Sequence, residues 1–225
     1  MAVTDEAISA IKGMIVAGDL VPGQRLPPEN DLAEQLGLSR NSLREAIKSL
    51  EVIRVLDVRR GDGTYVTSLE PRLLLEVLSF VTELHQDATV VEVFEVRRVL
   101  EGHVAREAAR RITPETLDAL ASELASIEPP TPVEDLVAHD LRFHRILASA
   151  SGNDYLSSLL EGMSGETTRA RVWRALTEAG AAERTLTEHR AILDALRARD
   201  ADLAHAAVTL HIAGIETWVR QALTG

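Results

Sequence analysis

Forty residues near the N-terminus, Pro27 to Val66, restrict what this chain can fold into more than any other part of it. They read PPENDLAEQLGLSRNSLREAIKSLEVIRVLDVRRGDGTYV, which parses as helix, tight turn, helix and a two-stranded hairpin. That is the order of a winged helix-turn-helix, a unit that sets one helix in a DNA major groove. In the first helix, about Glu29 to Gln35, Leu32 and Leu36 stand four apart on one face, with Ala33 beside them where a second helix can approach. Gly37 can take the left-handed conformation that ends a helix, and the Ser39 hydroxyl can cap the amides that begin the next. In that second helix, about Arg40 to Ile53, Leu43, Ile47 and Leu50 fall at i, i+4 and i+7 and face the core. Arg40, Asn41, Arg44 and Lys48 are left pointing outward. Arginine forks onto guanine O6 and N7, asparagine pairs with adenine, and lysine meets phosphate as a point charge. An isolated stripe of this kind is equally well a solvated helix face.

The hairpin tips the balance. Val55, Leu56 and Val58 lead into Arg59-Arg60-Gly61-Asp62-Gly63, and Thr64, Tyr65 and Val66 return, around a turn that can take positive φ at both glycines. A basic tip there reaches DNA backbone or minor groove. From Arg40 to Arg60, six bases (Arg40, Arg44, Lys48, Arg54, Arg59, Arg60) face three acids (Glu45, Glu51, Asp57), whereas the whole chain carries a formal charge of −11. A basic island on an acidic protein is the footprint of a single module that meets nucleic acid.

At these residues the chain resembles the GntR family of bacterial transcription regulators. The resemblance covers roughly Ile8 to Val66 and rests on the leading helix, the segment Gly18 to Pro27, the run Leu38 to Ala46 and the Gly-Asp-Gly-Thr-Tyr-Val wing. It implies that Arg40, Asn41, Ser42, Arg44 and the wing tip Arg60-Gly61 touch double-stranded operator DNA, with Lys48 on the same outward stripe. Two positions depart from the family pattern. Pro28 stands where a small or polar residue is usual, and Asn30 where a basic one is usual. Arg54 also sits where a helix-ending glycine is common, at a modest cost in strain.

The 225 residues leave room for a second domain beyond the roughly 68 that the motif uses, so the expected division is 1–68 and 69–225. Hydrophobic residues make up 45% of the chain, yet no apolar run approaches the ~18 residues of a membrane span. No basic-then-apolar signal segment opens it, and a cytoplasmic protein is expected. With no cysteine, any metal must sit on histidine and carboxylate.

Thr4-Asp5-Glu6 opens a supporting helix with its apolar face on Ala7, Ile8, Ile11 and Ile15. Beyond Thr67 to Pro71 the periodicity is helical with no plausible strand pairs. Helices are expected at Pro71 to Leu84, Val90 to Arg111, Pro114 to Ser126, Pro132 to Ala150, Asp154 to Thr177, Ala181 to Arg199 and Ala201 to Leu223. Thr113-Pro114, Pro129 to Pro132, Ser151-Gly152-Asn153 and Asp200 punctuate them. The fold class is mainly α, with the winged module followed by an antiparallel bundle of six or seven helices. From Leu69 onward acids outnumber bases by 25 to 16, so this half is the sensing or assembly half rather than a second DNA reader.

Within it, Asp140 and His144 leave one helical face four residues apart, a spacing that grips a divalent ion or makes an ordinary surface hydrogen bond. His189 and His211 sit among apolar neighbours on their helices, where a histidine is usually a satisfied core residue. Together the four offer three nitrogens and one oxygen, a set that suits Zn, Ni or Mn and leaves room for water or a carboxylate. Residues from about Leu75 to Ala222 resemble the all-helical ligand-binding domain of the FadR branch of the same family, through Phe94 to Glu101, Asp140 to His144, Ser151 to Leu156, Glu188 to Leu193 and His211. The resemblance implies that Asp140, His144, His189 and His211 ligate a divalent metal and that Arg97 faces a small carboxylic-acid effector. Arg97 has a second reading, an intrahelical pair with Glu101. Asn153 is the other effector candidate, though it reads first as the cap of the next helix. His139, His85, His103 and His205 have no partners at ligand spacing, and Trp173 and Trp218 read as packing residues.

The expectation is a ligand-responsive, homodimeric DNA-binding regulator, a repressor relieved by a small acid, and not an enzyme. Two other readings stand beside it: a regulator with structural histidines that senses an apolar ligand, and a metal-dependent hydrolytic enzyme fused to a DNA-binding module.

Overall fold

The computed structural model describes residues 3–70, 73 and 88–224, and the chain divides into two compact units, Met1–Val77 and Leu78–Gly225. Among the described residues there are ten helices and one two-stranded sheet, the mainly α class that the sequence implied.

In the first unit α1 spans Val3–Ala17, α2 Glu29–Leu36 and α3 Arg40–Val52, followed by β1 (Leu56–Arg59) and β2 (Gly63–Val66). Ile11, Leu20, Leu26, Leu32, Leu43, Ile47, Leu50, Leu56 and Val66 form one buried cluster, which is why three short helices with little stability of their own hold together. Gly37 ends α2 at φ 67°, and the Ser39 hydroxyl accepts the Ser42 amide at 3.1 Å to start α3. Arg54 takes φ 59°, the strained position that the sequence marked for a non-glycine residue. The strands pair antiparallel from Leu56 opposite Val66 to Arg59 opposite Gly63. The other edge of β2 is covered too, since the Gly23 amide donates to the Val66 carbonyl at 2.9 Å and the Leu26 amide to that of Thr64 at 2.8 Å. Arg25 crosses beneath the turn and donates to the Asp62 carbonyl, and the Tyr65 hydroxyl donates to Asp62 at 2.9 Å, so the wing is braced from within.

In the second unit α4 spans Ala88–Arg111, α5 Pro114–Ala125, α6 Val133–Ala150, α7 Asp154–Gly162, α8 Ser164–Thr177, α9 Ala181–Arg197 and α10 Ala201–Thr224. The expected helix Pro71 to Leu84 lies outside the described residues. The single helix expected from Asp154 to Thr177 is two, broken at Met163, with Ser164 and Thr168 bonding back to the Leu160 and Ser164 carbonyls. Such back-bonding by hydroxyl side chains bends helices and leaves no mark on apolar periodicity. Thr113, Asn153 and Asp200 each cap the helix that follows. The helix expected to run to Arg199 stops at Arg197. Arg199 turns to φ 52° and donates to the Ile112 carbonyl at 2.8 Å.

Phe94, Val104, Ala108, Phe143, Leu147, Leu193, Leu196, Val208, Ile212 and Ile215 fill the bundle core. Helices α4 and α10 run antiparallel in close contact. A Cβ at Gly102 would lie 2.7 Å from Thr209 Oγ1, so glycine permits the approach. Trp173, read as a packing residue, rests edge-on against Trp218 with ring centroids 5.0 Å apart and remains 41% exposed. No described helix is long and apolar enough to cross a membrane.

Candidate functional site

Helix α6 carries Asp140 and His144, α9 carries His189 and α10 carries His211. All four are buried, and one donor atom from each lies within 4.8 Å of the others. His144 Nε2 and His211 Nε2 are 3.2 Å apart, and Asp140 Oδ1 lies 3.8, 3.5 and 3.7 Å from the Nε2 atoms of His144, His189 and His211. A tetrahedral ion with ~2.1 Å bonds has donor atoms ~3.4 Å apart, close to this spacing.

The outer nitrogens explain why the inner ones converge. His211 Nδ1 donates to Glu188 Oε2 at 2.7 Å, and His144 Nδ1 lies 2.5 Å from Glu101 Oε2, an ion-pair contact without the alignment of a good hydrogen bond. His189 Nδ1 meets His139 Nε2 at 3.0 Å, and His139 Nδ1 meets Glu123 Oε1 at 3.0 Å. Each ligand-type imidazole therefore engages a partner at Nδ1 and turns Nε2 inward, the arrangement that metal-ligating histidines need. A proton between His144 Nε2 and His211 Nε2, 3.2 Å apart, satisfies that pair, and a cation in its place would serve all three nitrogens and the carboxylate oxygen at once. His189 Nε2 is buried and makes no hydrogen bond. The residues fit a divalent ion.

Electrostatics hold His189 and Asp140 in the states that ligate, while a proton on His211 is one that an ion must displace. Burial pushes His189 down to about 3, further lowered by His211 and His144 and opposed by Asp140, so its ring is neutral at neutral pH. Burial alone would raise Asp140, but Arg171, His144, His189 and His211 hold it well below the usual carboxylate range. Burial likewise opposes ionisation of Glu101, yet Arg97, His144 and Arg171 keep it depressed. His211 is raised in spite of burial, because Asp140 and Glu188 both stabilise its charged form.

Arg97 is 1% exposed and pairs with Glu101, Nε to Oε1 at 2.8 Å, with Nη1 on the Leu160 carbonyl and Ser164 Oγ at 3.3 Å. Of its two readings the intrahelical pair is the one the structure contains, and that pair adjoins His144. Asn153 is exposed, and its side-chain oxygen accepts the Leu156 amide at 3.1 Å as the cap of α7.

Sequence reasoning missed His139, set aside as ordinary, and did not single out Arg171, Glu188 or Glu123. Arg171 Nε is 2.5 Å from Asp140 Oδ2, and its Nη2 is buried without a hydrogen-bond partner. It lines a small cleft of about 20 Å³ with Asp140, Arg174 and Thr185, walled by Leu136, Val137 and Ile215. Only the place of Glu188 next to His189 hinted at its part. We expect His139→Ala to weaken divalent-metal affinity roughly 10- to 100-fold, as loss of an outer partner does elsewhere. Competition titration with a chromophoric chelator measures this, and an unchanged affinity would remove His139 from the site.

In the first unit Arg40, Asn41, Arg44 and Lys48 are exposed along α3, and Arg60 and Gly61 are exposed at the wing tip. The Ser42 hydroxyl is 2.8 Å from that of Ser39, within the cap. Arg44 pairs with Glu29 and Lys48 with Glu45, each at 2.9 Å. Exposed pairs of this kind contribute at most ~1 kcal/mol and yield readily to phosphate.

Comparison with known proteins agrees with both units. The family model described as bacterial regulatory proteins, gntR family, matches residues 3–66, and the FCD domain model matches residues 92–214. The chain is 31% identical over 211 residues to the HTH-type transcriptional regulator LutR of Bacillus subtilis (strain 168), covering 90% of this chain and 94% of that protein. It is 31% identical to the galactonate operon transcriptional repressor of Escherichia coli (strain K12), covering 93% of each. The solved structure of Streptococcus agalactiae GntR superposes with a TM-score of 0.73 at 28% identity, covering 95% of this chain and 99% of that one. With its N-terminal winged helix-turn-helix and C-terminal FCD domain, the chain belongs to the FadR-type branch of the GntR family, whose members are transcription regulators and not enzymes.

Proposed function

We propose that this regulator is a cytoplasmic, homodimeric repressor whose hold on its operator is released by a small carboxylic acid bound at a divalent-metal centre. In this reading residues 1–68 are the DNA-binding module and residues 69–225 bind metal and effector and dimerise. The observation that carries it is the convergence of three imidazole Nε2 atoms and the Asp140 carboxylate on one buried point. Asp140, His144, His189 and His211 would hold Zn, Ni or Mn, since nitrogen and oxygen donors discriminate these poorly. The ion supplies a Lewis-acidic position for an effector carboxylate, and Arg171 offers that anion an unused buried donor. Arg97 acts at one remove, by fixing Glu101 against His144. A small organic acid is in keeping with a relative named for the galactonate operon.

Elemental analysis of untagged protein, followed by a thermal-shift screen of small acids with metal present, tests the reading. One ion per chain and an acid that stabilises only the metal-loaded protein support it. A metal-free protein that still answers its effector would favour an apolar-ligand sensor with structural histidines.

On the DNA side, Arg40, Asn41 and Arg44 would read bases while Lys48, Ser42, Arg60 and Gly61 meet the backbone or minor groove. Arg44→Ala is expected to weaken operator binding by about 1 to 3 kcal/mol in a gel-shift titration, and to relax preference at one base position. Unchanged binding would take Arg44 out of the interface.

A further inference from the structure

Of the cations along α3, Arg44 is the one tied to another helix. Its Nε donates at 2.9 Å to Oε2 of Glu29, the first residue of α2. Lys48 pairs instead with Glu45 of its own helix, and among the described residues Arg40 makes no ion pair. Leu32 and Ala33 of α2 and Leu43 and Ile47 of α3 share one buried cluster, so the Glu29 carboxylate rides on an element fixed against the helix that carries Arg44. The pair does little for the fold. With 61% of the arginine side chain and 40% of the glutamate side chain exposed, water screens it. Nor is Glu29 needed for the dipole of α2, because Asp31 stands in the same first turn.

We propose that Glu29 is a positioning residue for DNA reading, which holds the Arg44 guanidinium so that its two Nη groups present a preset fork to one guanine. The donor that is engaged decides this. Glu29 takes Nε, on one edge of the guanidinium, and among the described residues neither Nη group makes a hydrogen bond. Two parallel N–H donors at the tip of the side chain match the adjacent O6 and N7 acceptors of guanine, whereas adenine sets a donor beside its acceptor there. An unheld arginine must have its torsions fixed as DNA binds, and ordering a side chain of that kind weakens the complex. Glu29 does part of that ordering in advance. Its own negative charge works against phosphate, so it adds to the choice of base and not to general attraction. Glu29 itself touches no base in this arrangement.

This inference deepens the DNA-binding reading and rests on it, in that Arg44 must read a base. Full-length wild type, Arg44→Ala, Glu29→Ala and Glu29→Gln are each selected against duplexes with a randomised core. Their affinities for the preferred duplex, its single-base variants and an unrelated duplex are then compared by fluorescence anisotropy. Arg44→Ala should erase the preference for guanine at one position. At that same position Glu29→Ala should lower discrimination against the other bases roughly 2- to 12-fold, the equivalent of ordering one long side chain. Every other position should keep its preference, and affinity for the unrelated duplex should not fall. Glu29→Gln keeps a neutral acceptor for Nε and should lie between wild type and Glu29→Ala. A base profile unchanged in Glu29→Ala, beside a guanine lost in Arg44→Ala, would overturn the positioning role and leave Arg44 as a reader. A profile unchanged in Arg44→Ala overturns both. A loss spread over all positions in Glu29→Ala, with a lowered Tm, would make Glu29 a residue of the fold and would likewise overturn the proposal.

Discussion

His189→Ala is expected to yield a protein that holds no divalent ion, ignores its effector and still binds operator DNA. The ring of His189 is fully buried, stacked on Phe143 with centroids 4.1 Å apart and planes 7° from parallel, and held at Nδ1 by His139. Removing it deletes one of four donors and leaves two imidazoles and a carboxylate, so metal affinity should fall by well over the ~10- to 100-fold that loss of an outer partner brings. The readout is thermal. A ligand present at 100 times its dissociation constant stabilises the folded state by about 2.7 kcal/mol, roughly 5 to 10 °C for a chain of this size. Wild type should show that gain on adding metal, and His189→Ala should show none. The variant will also start from a lower Tm, because truncating a stacked, buried ring leaves a cavity that costs on the order of 3 kcal/mol. Comparing each protein with and without metal separates the two effects. Operator binding should survive because the DNA-reading residues belong to the other compact unit, with its own core. A variant that keeps one ion per chain would remove His189 from the ligand set.

What the sequence shows and what it hides follow from how far apart interacting residues lie. The Ser39 cap, the Gly37 turn, the wing register and the strained Arg54 are local, because each is decided within a few residues by backbone conformation or a short hydrogen bond. The four convergent donors were legible for a different reason: Asp140 and His144 share one helical face, and His189 and His211 stand out as polar residues on apolar stripes. Their partners carry no such mark. His139 is one residue from Asp140 and reaches His189, 50 positions on, only through tertiary packing that brings the two side chains together. Glu188 precedes His189 in the chain yet serves His211. Arg171 follows the unforeseen break at Met163, where hydroxyl back-bonding, invisible to periodicity, divides the helix. Arg97 was ambiguous because the i, i+4 pair with Glu101 and the approach to the ligands look alike in sequence. In three dimensions they are one arrangement, in which Arg97 holds Glu101 and Glu101 touches His144.

The second large effect concerns Arg171. Its guanidinium, 5% exposed, lies against Asp140 with Thr167 as its other partner, and burial lowers its pKa despite Asp140. Without metal, Asp140 depends on that cation, and deleting one member of a buried pair costs about 3 to 5 kcal/mol because the other charge is left uncompensated. Arg171→Met, which keeps much of the side-chain volume, is therefore expected to lower the Tm of metal-free protein by some 6 to 20 °C. A bound divalent ion changes the balance. It supplies Asp140 with a positive neighbour, and the arginine it would otherwise repel is gone. The variant should thus be rescued by metal to a larger extent than wild type, and by linkage the same difference must appear as tighter metal binding. Two measurements check each other here, the metal-induced Tm gain and the dissociation constant from competition with a chelator. The opposite result, a variant both less stable and weaker in metal binding, would mean that Arg171 contributes by aiming Asp140 at the ion and that charge is secondary. Effector binding discriminates further. If Arg171 Nη2 receives the acid, Arg171→Met binds metal yet loses the stabilisation by carboxylate that the metal-loaded wild type displays, and no other substitution considered for the metal centre separates the two ligands in that direction.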